Sequence, residues 1–119
     1  MFSLMQQLAD RLKGLSDPTR LRMLALLDNG ELCVCDLMEA LDLPQSKVSR
    51  HMSFLKNGGW VTSQRKGKWV YYVLAAPTDQ LQFDLLAVLR EHLPGLAAGV
   101  EDRARLKQHL KTKKADACG

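Results

Sequence analysis

The chain has 119 residues, 46% of them hydrophobic and 25% charged, the balance of one ordinary globular domain rather than of a disordered or fibrous chain. Its longest unbroken apolar run, Trp69 to Ala76, falls far below the ~18 residues a membrane span needs, and no basic-then-apolar leader is visible, so a cytoplasmic protein is expected. Net charge is +4 from 17 basic and 13 acidic residues, by itself only a mild pull toward a polyanionic partner.

Phe2, Met5, Leu8, Leu12 and Leu15 recur every three or four residues, the pattern of an amphipathic helix that weakens at Gly14. Ser16-Asp17-Pro18 then supplies a side-chain acceptor for free amides and a proline at the first helical position. Leu21, Leu24 and Leu27, flanked by Met23 and Leu26, predict a second helix for the centre of the core, stopping at Asn29-Gly30. A short third helix carries Val34, Leu37, Met38 and Leu41, with Cys33-Val34-Cys35 at its start. Asp42-Leu43-Pro44-Gln45 turns the chain into a fourth helix over 45–57, whose inner face is Val48, Met52 and Leu55 and which ends at Gly58-Gly59. Two short helices around a tight turn make a helix-turn-helix candidate.

From Trp60 the period changes to alternation. One strand runs to Arg65 and a partner runs from Trp69 to Leu74, with Lys66-Gly67 as the turn. Pro77-Thr78-Asp79 opens a final helical region whose stripe of Leu81, Leu85, Leu86, Leu89 and Leu93 is more than a small domain buries alone. Pro94-Gly95 interrupts it, and a last helix spans Leu96 to about Leu110. The fold class is therefore α+β and mostly helical, with a two-stranded hairpin after the helix-turn-helix. Residues 1–112 form the domain and 113–119 a polar tail.

Charge is unevenly placed. Leu43 to Thr78 contains no Asp or Glu but holds Lys47, Arg50, Lys56, Arg65, Lys66 and Lys68, whereas residues 1–42 are net acidic. A helix over 45–57 is about 20 Å long, a size that suits a DNA major groove. On its outer face Gln45 suits adenine, Arg50 suits guanine, and Ser46, Lys47 and Ser49 suit phosphates. Arg65, Lys66 and Lys68 at the hairpin tip would reach a neighbouring groove or phosphate. His51 is either a phosphate contact or a hydrogen-bonding link between elements, or packs at the hairpin boundary. His92 and His109 have no ligand partner at helical spacing and read as surface or interface histidines.

Three cysteines, Cys33, Cys35 and Cys118, are too few and too unevenly spaced for a disulfide framework, which leaves metal binding, redox sensing or burial. Residues i and i+2 of an ideal helix diverge by roughly 200°, so Cys33 and Cys35 can face one ion only at a frayed or unwound first turn.

Together Ser16-Asp17-Pro18-Thr19-Arg20-Leu21-Arg22, Glu31-Leu32-Cys33-Val34-Cys35-Asp36-Leu37, Ser49-Arg50-His51-Met52 and Gly67-Lys68-Trp69-Val70-Tyr71-Tyr72 resemble the ArsR/SmtB family of metal-responsive winged helix-turn-helix repressors. The resemblance covers about Leu12 to Leu74, and the cysteine box is similar to the arsenite-sensing branch. It implies a non-enzymatic homodimer, joined through its N- and C-terminal helices, on inverted-repeat operator DNA with reading helices about 34 Å apart. No cofactor is needed for DNA binding; As(III) or Sb(III), as inducer, would release the operator. Cys33 and Cys35 would be ligands, Ser49, Arg50 and His51 would lie on the DNA-binding helix, and Lys66 to Lys68 on the wing.

The chain departs from that branch at Met38, where some members supply a third thiolate. No cysteine in residues 1–32 offers a cadmium/lead-type site, and the last helix lacks the paired ligands of zinc-type sensors. Trivalent arsenic prefers three soft ligands. The third is Cys118 from either subunit, an exogenous thiol or hydroxide, or none, as for an organoarsenical that already carries carbon. Sensing of Cd(II), Pb(II) or Cu(I) and a thiol redox switch are the alternatives.

Overall fold

The computed structural model describes residues 3–113. Ser3 caps α1 (Leu4–Leu15) by accepting the Gln6 amide at 3.0 Å. Asp17 does the same for α2 (Pro18–Leu27), accepting from Arg20 N at 3.0 Å, with Pro18 at the first position as the sequence predicts. A two-residue strand β1 (Leu32–Cys33) leads directly into α3 (Val34–Leu41). Asp42 closes α3 in the left-handed region at φ 55°, and α4 (Gln45–Asn57) starts after Pro44.

Strands β2 (Val61–Lys66) and β3 (Trp69–Leu74) form the hairpin, and β1 adds to its far side, giving an antiparallel sheet of order β1-β3-β2. The two-stranded hairpin is as expected, and β1 is a third strand added beside it: Leu32 pairs with Tyr72 and Cys33 with Tyr71. A run of two residues is too short to show alternation in sequence. The turn is also displaced by one residue. Lys66 is the last residue of β2, opposite Trp69, and the loop is Gly67-Lys68, with Gly67 at φ +64° in the first central position.

Helix α5 (Gln80–His92) is capped by Asp79, which accepts from Gln82 N at 2.8 Å. A single 3-10 turn, Leu93–Gly95, separates it from α6 (Ala97–Thr112), so Pro94-Gly95 does interrupt the helical region. The expected α5 stripe is largely consumed within the chain: Leu86 is buried and Leu85 and Leu89 pack on the core, leaving Leu81, Phe83 and Val88 exposed.

Met23, Leu24, Leu26 and Leu27 of α2 form the centre of the core with Leu37 and Leu41 of α3, Val48, Met52 and Leu55 of α4, and Trp60. The Trp60 indole N–H donates to the Arg11 carbonyl at 2.9 Å and so fastens α1 across the end of α4. Helix α6 runs back over α2 and α3. Asp102 of α6 accepts from Arg22 Nε and Nη2 at 2.8 and 2.7 Å and from Arg105 Nη2 at 2.7 Å, while Arg105 Nε donates to the Ala40 carbonyl at 2.8 Å. This anchoring sets the last turn of α6 over the start of α3.

Candidate metal centre and nucleic-acid interface

Cys33 is at once the last residue of β1 and the N-cap of α3, in extended conformation at φ −86°, ψ 167°. Cys35 lies one step inside the first turn. That change of backbone direction overcomes the divergence expected on a regular helix, and the two sulfurs stand 3.2 Å apart. Cys33 is buried and Cys35 half-buried. Bonds of about 2.3 Å from each sulfur, typical of a thiolate–metal contact, close over such a gap.

Asp36 completes the cluster. Its ligand atom lies within 4.8 Å of both sulfurs, in the one grouping of three His, Cys, Asp or Glu groups of this kind among the described residues. The carboxylate is 2% exposed and its oxygens are already engaged. Oδ2 accepts the Cys33 amide at 2.9 Å, closing the cap of α3. Oδ1 faces His109 Nε2 at 2.9 Å, from the last turn of α6, and at 2.8 Å the Nζ of Lys113, the residue that follows that helix. Lys113 Nζ also donates toward Cys33 Sγ at 3.5 Å. Asp36 thus braces the site, and the soft donors of this cluster are the two sulfurs. Met38 packs on the core, and Cys118 lies outside the described residues.

Sequence reasoning missed Asp36, His109 and Lys113 as partners here. Asp36 carried a legible signal, a carboxylate at the third position of a helix whose cap precedes it. His109 and Lys113 carried none, since 73 and 77 residues separate them from Asp36. His109, read as a surface or interface histidine, is instead half-buried against that carboxylate. Lys113, read as the start of a polar tail, reaches into the site.

Helix α4 turns Val48, Met52 and Leu55 inward and leaves Gln45, Ser46, Lys47 and Arg50 exposed, with Ser49 half-buried. His51 points back toward α2: Nδ1 is 3.3 Å from Arg20 Nη1 and 3.8 Å from Asp17 Oδ2. The element-to-element link therefore describes it, not packing against the hairpin. Burial, with the positive charges of Arg20, Arg50 and Lys47, holds its pKa below the ordinary value despite Asp17. At the hairpin tip Arg65, Lys66 and Lys68 are exposed. Lys66 Nζ pairs with Glu31 Oε1 at 2.5 Å and lies over the Tyr71 ring; Lys68 lies over Trp69.

A helix-turn-helix with its second helix exposed and cationic, followed by a basic hairpin, defines a winged helix-turn-helix DNA-binding regulator. The profile of the bacterial regulatory protein arsR family matches residues 17–63. The chain is 41% identical over 93 residues to the arsenical resistance operon repressor of Escherichia coli K12, covering 77% of this chain and 67% of that protein. It is 50% identical over 80 residues to the arsenic resistance transcriptional regulator ArsR2 of Pseudomonas putida KT2440, covering 66% and 70%. A homodimeric winged helix-turn-helix DNA-binding domain from Mycobacterium bovis superposes with a TM-score of 0.64 at 32% identity, covering 79% of this chain and 88% of that one. The chain belongs to the arsR family of transcriptional regulators, a family without enzymatic activity. No helix among the described residues is long and apolar enough to cross a membrane.

Proposed function

We propose that this chain is a cytoplasmic, homodimeric repressor that holds an inverted-repeat operator and releases it when trivalent arsenic or antimony takes Cys33 and Cys35. The observation that carries this reading is the 3.2 Å approach of two sulfurs at the joint between β1 and α3. Arsenous acid condenses with two thiols without a change of oxidation state. Two As–S bonds form, two As–O bonds break, and each departing hydroxyl leaves as water with a thiol proton.

The joint has two outputs. Helix α3 leads through Asp42-Leu43-Pro44 to α4, and their buried faces share one core, so a strained first turn of α3 is passed to the reading helix. Cys33 is also paired with Tyr71 of β3, so the same strain reaches the wing. A coupling of about 1–3 kcal/mol is enough for a switch. On DNA, Gln45, Ser46, Lys47, Ser49 and Arg50 would meet bases and phosphates, and Arg65, Lys66 and Lys68 the neighbouring backbone. His51 would serve there by fixing α4 to α2.

Cys118 is the proposed third ligand for inorganic As(III). Lys113 stands against Cys33, and the five residues that follow extend at most about 18 Å. A second reading is favoured by the packing of the half-buried Met38 against the core: with two soft donors in the cluster, a monosubstituted organic As(III), already bonded to carbon, is satisfied by Cys33 and Cys35 alone.

Fluorescence anisotropy of a labelled duplex from the DNA preceding its own gene tests the reading. The expected result is tight binding that arsenite abolishes, and Cys33→Ser protein that binds equally well but is not released. Failure to bind that DNA, or arsenite release of Cys33→Ser, overturns it. Release by peroxide or Cd(II) but not by arsenite would instead establish the redox or divalent-ion reading.

A further inference from the structure

The cationic hairpin holds a carboxylate that its own stretch of sequence does not supply. No Asp or Glu occurs from Leu43 to Thr78, yet Glu31, the residue before β1, places Oε1 2.5 Å from Lys66 Nζ. The pairing of β1 with β3 brings it there. Lys66 stands on β2 opposite Trp69 of β3, and its ammonium lies 5.0 Å from the centre of the Tyr71 ring, also on β3. Its side chain therefore crosses the sheet, from β2 over β3 to the edge where β1 begins. Arg65 and Lys68, the other cations of the tip, have no carboxylate partner among the described residues.

Both members of the pair are open to water, with side chains 51% exposed for Lys66 and 33% for Glu31. Such a pair adds little to stability, so holding the fold together does not account for it. Its position does. The ammonium rests on a carboxylate oxygen, which accepts the same charge-assisted hydrogen bond as a phosphate oxygen, and it cannot serve both at full strength. Approaching DNA repels Glu31 and attracts Lys66, so the lysine changes partner as the wing closes on the backbone. We propose that Glu31 is a positioning residue that stands in for a DNA phosphate: it parks Lys66 over the sheet in the free protein and lowers operator affinity by the cost of giving the lysine up. The proposal rests on the reading of the wing as a DNA contact and makes no use of the sulfur pair.

The experiment measures binding of the reduced full-length protein to the labelled duplex from the DNA preceding its own gene, without metalloid, across a series of salt concentrations. Glu31→Gln removes the charge and keeps the size; Lys66→Met removes the ammonium and keeps most of the stem. Glu31→Gln is expected to bind about three- to tenfold tighter than wild type, since a dimer would no longer give up two such pairs. Lys66→Met should bind more weakly, and its slope of log affinity against log salt should be shallower by about 0.9 per subunit, the share of one lost phosphate contact. The double variant should match Lys66→Met within about twofold, because without the ammonium the carboxylate has nothing to withhold. An unchanged affinity in Glu31→Gln, an unchanged salt slope in Lys66→Met, or a gain from Glu31→Gln that persists in the Lys66→Met background overturns the proposal and leaves the DNA-binding reading standing. Wild type that fails to bind the duplex overturns that reading, and the proposal with it.

Discussion

Arg20 joins three helices through one side chain. Its Nε and Nη2 donate to the Gly14 and Lys13 carbonyls at 2.8 and 3.1 Å, satisfying the end of α1, and its guanidinium lies 4.7 Å from the centre of the Phe54 ring of α4. A guanidinium can only donate, so its contact with His51 requires an imidazole whose Nδ1 is unprotonated. The lowered pKa of His51 comes first from burial and agrees with that requirement. Because the folded state disfavours the proton, this contribution to stability is present above the ordinary pKa of 6.5 and is lost as pH falls through the lower folded value. The melting temperature should therefore drop between about pH 7.5 and about pH 5.5, and His51→Gln should flatten part of that drop in a calorimetric scan. The pairing of His51 with α2 was one of the readings open from sequence. Its direction was not, because rotation about a helix axis does not reveal which neighbour a boundary side chain meets.

At the scale of elements, α6 depends on a buried carboxylate. Asp102 is 1% exposed and accepts from both Arg22 and Arg105, and the hydrogen-bonded pairing raises the Arg22 pKa. Asp102→Ala leaves two guanidinium groups without that partner. Both retain some solvent, so the loss expected in urea unfolding is about 3 kcal/mol, the low end of the range for a broken buried pair. The helices were legible because their starts carry explicit chemistry, Asp17-Pro18 for α2 and Asp79 for α5. Strand β1 was not, since Leu32 and Cys33 become a strand only by pairing with Tyr72 and Tyr71. The wing turn slipped by one residue because Lys66 and Lys68 on either side of Gly67 are chemically alike, and only the pairing of Lys66 with Trp69 decides between them. The cysteine pair was readable as a site, with the requirement of an unwound first turn, but the cover provided by α6 depends on contacts between distant parts of the chain.

For the molecule as a whole, what remains outside the core is informative. Leu4 and Met5 of α1 are 82% and 75% exposed, and with Leu8 and Leu81 they line a groove of about 310 Å³ between α1 and α5. Apolar faces at both ends of the chain suit the homodimer proposed here, and the Mycobacterium bovis relative is described as homodimeric. The double variant Met5→Glu, Leu81→Glu should sediment as a monomer with its melting transition intact. It should also lose most operator affinity, because each half-site is then bound separately.

Cys33 belongs to two kinds of secondary structure at once, and this dual membership restricts how chains of this shape can diversify. Strand side chains alternate sides and helical ones rotate by about 100° per residue, so inserting a single residue at the joint would swing one sulfur away from the other. The pair's spacing is in effect frozen. The end of α6 is tied differently: it pairs with no strand and meets the site through the side chains of His109 and Lys113 on Asp36. New chemical tastes in such sensors should therefore arise by rewriting that overhanging turn around an unaltered sulfur pair.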